Sequence, residues 1–239
     1  MKAKKTILLM LGFAGLVNYS SAQWLTNSSI LFPYVSIPDG NPVGWKDQFT
    51  MSGIVGTVAD VSVILDINGG YNGDLYAYLV SPQGQMSVLL NRPGVTQDNP
   101  FGYGDAGLNI TLDAGAVNNI HDYGLDYNLN SDGQVTGTWA ADGRNIDPQS
   151  TGSAFDAAPV DASLNIFLGQ SGDAMNGTWT IFLEDTAVGG GSPTLNSFGL
   201  EIMTVPEPHS WVLFGVGLAC LSPRLYRLWS QGRKVKFPV

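Results

Sequence analysis

Apolar and polar residues alternate in short segments between residues 54 and 203, which is the pattern of half-buried β-strands. One strand face carries Val61, Val63, Leu65 and Ile67. Clusters of Gly, Asn, Asp and Pro separate the segments, and no segment has a helical period. The other predicted strands are Asp74–Ser81, Met86–Leu90, Leu108–Leu112, Leu164–Leu168, Thr178–Glu184, Leu195–Met203 and one near Ile54. About eight strands predict an all-β fold, a jelly-roll-like β-sandwich.

The N-terminus has the layout of a secretory signal peptide. Three lysines precede an apolar stretch from Ile7 to Val17, and small residues follow at Ser20 and Ala22. We therefore expect signal peptidase to cleave between Ala22 and Gln23. The alternative, an uncleaved anchor helix, calls for about 20 apolar residues and the stretch is shorter.

The C-terminus carries a second apolar segment, at about residues 210–222, which we expect to form a short helix in the membrane. The tripeptide Pro206, Glu207 and Pro208 precedes it, and a basic tail with Arg224 and Arg227 follows it. This order resembles the PEP-CTERM sorting domain of Gram-negative bacteria. The resemblance implies processing by exosortase, a membrane-embedded transpeptidase, and then a cell-surface or extracellular location. A plain tail anchor is the alternative, for which the apolar segment is short.

These assignments divide the chain into four parts. We expect a signal peptide at 1–22, an N-terminal extension at 23–49, the β-sandwich at 50–204 and the sorting signal at 205–239. A stretch rich in Gly, Asn and Asp, at about 98–160, is predicted as an insertion in the sandwich. The only cysteine is Cys220 in the apolar segment, so the sandwich cannot contain a disulfide.

The charge of the sandwich is strongly acidic. Between residues 23 and 205, three basic side chains stand against nineteen acidic ones, a net charge of −16. Such a surface repels phosphate backbones, which disfavours nucleic acid as a partner. Calcium, basic partners or solubility alone explain the charge better.

Several motifs recur in a recognisable order through the predicted sandwich. They are Tyr71-Asn72-Gly73-Asp74-Leu75, Ser81-Pro82-Gln83-Gly84, Asn176-Gly177-Thr178-Trp179-Thr180, Asp185-Thr186 and Leu195-Asn196-Ser197-Phe198-Gly199-Leu200. The series resembles the P domain, or Homo B domain, of subtilisin-like proprotein convertases, with Phe198 where that family usually has tryptophan. The resemblance implies a module that assists the folding and stability of a neighbouring protease. Trp179 alternates with Ile181 and Leu183, which favours a place in the core.

Two sets of oxygen-bearing residues are candidates for binding calcium, the one cofactor that the sequence suggests. The first set recurs at every second position before Gly133 and comprises Asp126, Asn128, Asn130 and Asp132. No acidic residue closes this loop at its twelfth position, and such runs also form simple Asx turns. The second set comprises Asp66, Asp74 and Asp185, whose carboxylates the sequence alone does not bring together.

Little in the sequence supports catalysis. His121 is the only histidine between the two processing sites, and its polar neighbours predict a surface side chain. The chain has no Gly-x-Ser-x-Gly elbow and no His-Glu-x-x-His zinc motif. We therefore expect a non-catalytic surface or extracellular-matrix protein whose sandwich binds an exopolysaccharide or another surface protein. The alternatives are a secreted hydrolase, peptidase-like or glycosidase-like, and an accessory domain of a subtilisin-like protease.

Overall fold

The computed structural model describes residues 25–206, which form a sandwich of two β-sheets. This confirms the all-β prediction, although the described residues contain eleven strands where about eight were expected. The strands are β1 (Leu25–Leu31), β2 (Val35–Ser36), β3 (Trp45–Met51), β4 (Thr57–Asn68), β5 (Leu75–Val80), β6 (Met86–Asn91), β7 (Gly107–Asp113), β8 (Asn128–Leu129), β9 (Val135–Trp139), β10 (Gly177–Asp185) and β11 (Thr194–Val205).

The larger sheet has seven strands and the smaller has four. Strand order in the larger sheet is β1-β11-β4-β7-β9-β8, with β2 also paired to β11. The smaller sheet has the order β3-β10-β5-β6. All pairings between these strands are antiparallel except that of β7 with β9. Because β3 and β10 pair across more than 120 positions of sequence, the fold depends on non-local contacts.

The inward faces of both sheets supply the core, as their alternating patterns predict. Val61, Val63, Leu65 and Ile67 of β4 are fully buried. Trp179 of β10 is also buried and contacts Phe167 with a ring-centroid distance of 5.2 Å. Phe198 keeps an aromatic ring in the core and meets Phe49 of the opposite sheet at 5.3 Å. These apolar contacts hold the two layers together.

Short helices occupy the connections between strands. Their bounds are Asn72–Asp74, Ile120–Leu125, Gly152–Ala157, Leu164–Phe167 and Gly172–Met175. The strand predicted at Leu164–Leu168 is therefore wrong, because its alternating apolar residues lie on one turn of 3₁₀-helix that packs Leu164 and Phe167 inward. Within residues 25–206, no helix is both long and apolar enough to cross a membrane.

The predicted N-terminal extension and the predicted insertion both contribute strands to the two sheets, and one of these strands had been predicted, at Leu108–Leu112. Residues 25–49, the predicted N-terminal extension, supply β1, β2 and most of β3. The stretch 98–160, the predicted insertion, supplies β7, β8 and β9 of the larger sheet. The N-terminal segment is thus held on β11, where Leu25 pairs with Thr204.

The sandwich has two distinct ends. At the end we call proximal, the start of β4 meets the end of β11, where Thr57 pairs with Val205. At the end we call distal, Asn68 pairs with Thr194. The last residue of β10, Asp185, lies at the distal end as well, because a short loop leads from it to Thr194. Strands of twelve residues separate the two ends by about 40 Å.

Candidate functional site

A cleft of about 530 Å³ opens at the distal end of the sandwich. Its size falls within the range of small-ligand sites. The loops before β5, after β6 and after β10 form its walls. The side chains that define it are Tyr71, Asp74, Arg92, Phe101, Tyr103 and Gln149, with residues 187–189 at the rim.

Three aromatic side chains, Tyr71, Phe101 and Tyr103, belong to the lining of this cleft. Tyr71 is 47% exposed and Phe101 is 81% exposed, so part of each ring is open to solvent. The Tyr71 ring rests against Gly190, where a Cβ atom would lie 2.6 Å from a ring carbon. Tyr103 packs on the buried Tyr123 at a centroid distance of 4.5 Å. The backbone and the core therefore hold Tyr71 and Tyr103 in place.

The floor of the cleft is polar and well ordered. Arg92 donates from Nε to the Gly73 carbonyl at 3.1 Å and from Nη1 to the Pro148 carbonyl at 3.4 Å. Its Nη2 lies 3.8 Å from Oδ1 of Asp74, an ion pair with little exposure. Burial raises the pKa of the Asp74 carboxyl, although the Arg92 guanidinium opposes this shift. Arg92 also has a φ of 49°, a left-handed conformation that is uncommon for this residue type.

Asp185 lies beneath the cleft and is fully buried. Its Oδ1 accepts a hydrogen bond from the Ala187 N–H at 3.4 Å, whereas its Oδ2 has no partner. Burial is the main cause that raises the pKa of Asp185 to about 6, and the nearby charges of Asp74 and Asp39 add to it. The structure thus places two of the predicted metal ligands, Asp74 and Asp185, as close neighbours.

The other predicted ligands lie in or beside the β8–β9 hairpin. The side-chain oxygen of Asn130 accepts the N–H groups of Asp132 and Gln134, both at 3.0 Å, which is an Asx-type turn. Gln134 donates to Oδ1 of Asp66 at 2.7 Å, so Asp66 and Asn130 are linked through one amide side chain. The side-chain oxygen of Asn130 and Oδ1 of Asp66 therefore already accept protein hydrogen bonds.

The two sets of predicted ligands do not combine into one cluster. Asp126, Asn128 and Asp132 are exposed, and Asp74 and Asp185 belong to the cleft region. Within residues 25–206, no group of three or more His, Cys, Asp or Glu side chains is arranged to hold a metal ion. Calcium binding stays a prediction of the sequence.

His121 is buried, so the prediction of a surface side chain is wrong. It is only 1% exposed and stacks on Phe155. Its Nδ1 lies 2.7 Å from Oδ2 of Asp142 and its Nε2 lies 3.0 Å from the Val95 carbonyl. Asn119 turns the histidine inward by accepting its backbone N–H at the start of a 3₁₀-helix. The polar residue Asn119 near His121 in sequence therefore stabilises the start of the 3₁₀-helix, and its polarity does not indicate that His121 is exposed.

The sorting tripeptide begins where the last strand ends. Val205 is the final residue of β11, and Pro206 follows it as an exposed residue. The remaining predicted processing residues lie outside the described part of the chain: Ala22, Gln23, Glu207, Pro208, Arg224 and Arg227.

Fold and site together define an acidic β-sandwich with a distal cleft, whose last strand runs directly into a Pro-Glu-Pro tripeptide. The family model of the proprotein convertase P-domain matches residues 58–154, from β4 to the helix at Gly152–Ala157. The PEP-CTERM protein-sorting motif matches residues 204–224. The chain therefore contains a segment that matches the proprotein convertase P-domain, followed by a PEP-CTERM sorting motif. It is accordingly an exported protein of a Gram-negative bacterium, transiently anchored in the membrane and processed by exosortase for a surface or extracellular location.

Two solved structures of an Aeromonas sobria serine protease are similar to this chain. The structure of the protease with its chaperone matches with 16% identity and a TM-score of 0.42, covering 77% of this chain and 27% of the other. The structure of the protease itself matches with 16% identity and a TM-score of 0.41, covering 76% and 27%. This chain thus spans about a quarter of the length of those proteins. No curated protein matches it.

Proposed function

We propose that this protein is a non-catalytic component of the cell surface or extracellular matrix, and that its sandwich is a binding module. The observation that carries the proposal is the distal cleft, where exposed aromatic rings of Tyr71 and Phe101 flank a fixed polar floor. In this proposal, signal peptidase cleaves after Ala22, and the module comprises residues 50–204 with its extension at 23–49 and its insertion at 98–160.

The chemistry of the cleft favours a saccharide as ligand. Sugar rings present C–H faces that pack on aromatic rings and hydroxyl groups that bond to charged and amide side chains. Tyr71 and Phe101 supply the rings, and Asp74, Arg92 and Gln149 supply the polar groups. The acidic charge of the sandwich repels anionic polymers, so a neutral or amino-substituted exopolysaccharide fits best.

The environment of His121 supports a role without catalysis. A general base must reach its substrate with a free ring nitrogen. Both ring nitrogens of His121 already face acceptors, Asp142 on one side and the Val95 carbonyl on the other, and the ring is closed to solvent. We therefore assign His121 and Asp142 to the stability of the fold.

Binding of glycans by the mature protein tests this proposal. We expect retention on a panel of neutral and amino-substituted polysaccharides. Tyr71→Ala and Phe101→Ala should each weaken it about tenfold, the effect of truncating a side chain that contributes more than about 1 kcal/mol to binding. Phe32→Ala is the matched control, because Phe32 is exposed but lies just after β1 and outside the cleft. Equal losses in all three variants would count against the cleft.

The P-domain match favours one second candidate, a stabilising partner of a separate subtilisin-like protease. Adding the mature protein to such a protease from the same cell should then raise the melting temperature of the protease. Turnover of a peptide or glycan by the mature protein alone, abolished by a single carboxylate substitution, would instead establish the hydrolase alternative and contradict our proposal.

A further inference from the structure

The proximal end of the sandwich leaves no spacer between the folded domain and the sorting motif. The motif match begins at Thr204, which is fully buried in β11 and pairs with both β1 and β4. Val205 still pairs with Thr57. The apolar segment predicted from about residue 210 is only a few residues away, a reach of about 15 Å in extended chain. An exosortase molecule that acts at Pro206 must therefore come within contact distance of the proximal end of the sandwich.

A rigid loop stands beside this motif. Gly56 lies so close to β11 that a Cβ atom there would collide with the Val205 carbonyl and come within 3.2 Å of the Pro206 Cα. Asn176 holds the loop on its other side, accepting from the Ile54 N–H at 2.9 Å and donating to the Ile54 carbonyl at 2.8 Å. Gly172 donates its N–H to the Gly56 carbonyl as well. The loop is fixed before any partner arrives.

The loop presents an apolar side chain to solvent at this place. Val55 is 50% exposed, although both residues beside it are held by hydrogen bonds. Leu25 at the start of β1 is exposed too, and it pairs with Thr204 of the motif. Two exposed apolar side chains thus lie on hydrogen-bonded backbone beside the processing site, where a partner can bind them without a cost of ordering the chain.

We propose that the Val55 loop and Leu25 form a docking surface for exosortase, which reads the sandwich end together with the tripeptide. The occupant follows from the continuity of this surface with the motif that exosortase processes. Lipid headgroups fit less well. Acidic residues occur near this end, and the basic residues of the described part lie elsewhere: Lys46 opposite Phe182, Arg92 in the cleft and Arg144 beside Asp142. The nearby acidic residues are Asp60, Asp113, Asp173 and Glu201. An acidic surface is repelled by anionic lipids.

The test measures C-terminal processing of the full chain in its host, with an epitope appended after Val239. Pulse-chase labelling follows only the precursor that has already crossed the membrane. The measured rate is therefore that of C-terminal processing and does not include the rate of export. Val55→Asp should slow loss of the epitope about fivefold or more, the effect of removing one well-packed contact from an interface. Val43→Asp is the matched control, since Val43 is 77% exposed, lies outside the cleft and precedes β3 near the distal end, where Trp45 pairs with Leu183. Processing of both variants at the same rate would overturn the proposal.

A spacer provides a second, independent measurement. Six Gly and Ser residues inserted between Val205 and Pro206 move the motif up to about 20 Å from the Val55 loop. We expect the same slowing as for Val55→Asp, with an unchanged melting temperature of the exported sandwich. Wild-type processing of the spacer variant would refute the docking surface. So would binding of the mature protein to anionic vesicles that Val55→Asp abolishes, because the contact would then be with lipid.

Discussion

Asp142 is the most constrained acidic side chain of the structure. It is fully buried, and its carboxylate lies 2.7 Å from Nδ1 of His121. The same carboxylate accepts hydrogen bonds from Nη1 of Arg144 at 3.3 Å and from the Asn91 N–H at 3.2 Å. Removing one partner of a buried charged network leaves the others without compensation. We expect Asp142→Ala to lower the free energy of unfolding by about 3–5 kcal/mol, as measured by urea denaturation.

Asp132→Ala is the matched control for this change, because Asp132 is an exposed acidic residue in the β8–β9 turn. Its effect should stay within about 0.5 kcal/mol, as for most surface substitutions. A similar loss in both variants would mean that the buried network around His121 stabilises the fold no more than an exposed acidic side chain does.

The raised pKa of Asp185 makes stability depend on pH in a definite direction. Its ordinary value is 3.8 and burial raises it to about 6. Between these values the folded state holds more protons than the unfolded state, so stability falls as pH rises. Asp185→Asn removes the buried charge. We expect this variant to exceed the wild type by about 1–3 kcal/mol at neutral pH and to match it near the ordinary pKa, by denaturation across pH.

Asp98→Asn is the matched control at an exposed position, and it should change the free energy of unfolding by no more than about 0.5 kcal/mol at neutral pH. If Asp185→Asn were less stable than the wild type at neutral pH, the result would indicate that the charged carboxylate coordinates a bound cation. That result would revive the calcium prediction for this part of the cleft.

Single residues show where sequence reasoning stops. Trp179 was placed in the core correctly because its strand alternates. His121 was misplaced because its partner, Asp142, is 21 positions away and the pairing is invisible in the local pattern. Phe101 gave a weak signal, an isolated aromatic residue in the Gly- and Pro-rich sequence Asn99-Pro100-Phe101-Gly102, and its place in the cleft depends on three other loops.

The β8–β9 hairpin is the element most dependent on one side chain. Asn130 accepts the N–H groups of Asp132 and Gln134 and also donates to the Gln134 side chain at 2.7 Å. Asn130→Ala removes all three bonds. We expect the free energy of unfolding to fall by about 1–3 kcal/mol, since each hydrogen bond contributes about 0.5–1.5 kcal/mol net. Amide exchange of β9 should accelerate with it.

Asn130→Asp keeps the accepting oxygen at the turn and should retain most of the protection of β9. Unchanged exchange in Asn130→Ala would show that the parallel pairing of β7 with β9, and not the turn, holds this edge of the sheet.

Elements were predictable where one face is buried. Buried and less buried residues alternate along most of β4, β5 and β10 because these strands pack on the opposite sheet. The missed strands lack that signal: β1 is a polar edge strand, and β9 contains glycine and two threonines. The segment Leu164–Phe167 has the alternation of a strand, but it lies between the sheets and contacts both β4 and β6. Four residues are too few for periodicity to separate a strand from a helical turn.

At the scale of the whole molecule, processing at both ends leads to a mass prediction. We expect the protein recovered from its native culture to begin at Gln23 and to have lost the apolar segment and basic tail after Pro208. Intact mass spectrometry resolves both ends at once. A recovered species that still ends at Val239 would contradict processing by exosortase.

The overall class of the molecule followed from sequence, and its spatial arrangement did not. Strand pattern and terminal signals were sufficient for an acidic, exported sandwich. The cleft was not foreseen, because Tyr71, Arg92, Phe101 and Gln149 meet only when loops from both sheets converge. Strand pairing over long sequence separations decides that convergence, and no local pattern encodes it.

The register between β4 and β11 has a mechanical consequence. While the precursor is anchored, a load applied by a ligand at the distal cleft and resisted at Pro206 runs along these strands. Hydrogen bonds between antiparallel strands are perpendicular to the strand axis, so a pull along that axis shears many bonds at once. β11 is flanked by β1 and β4, and both rows of bonds share the force. The module should therefore extend abruptly at high force, and should not peel open one bond at a time.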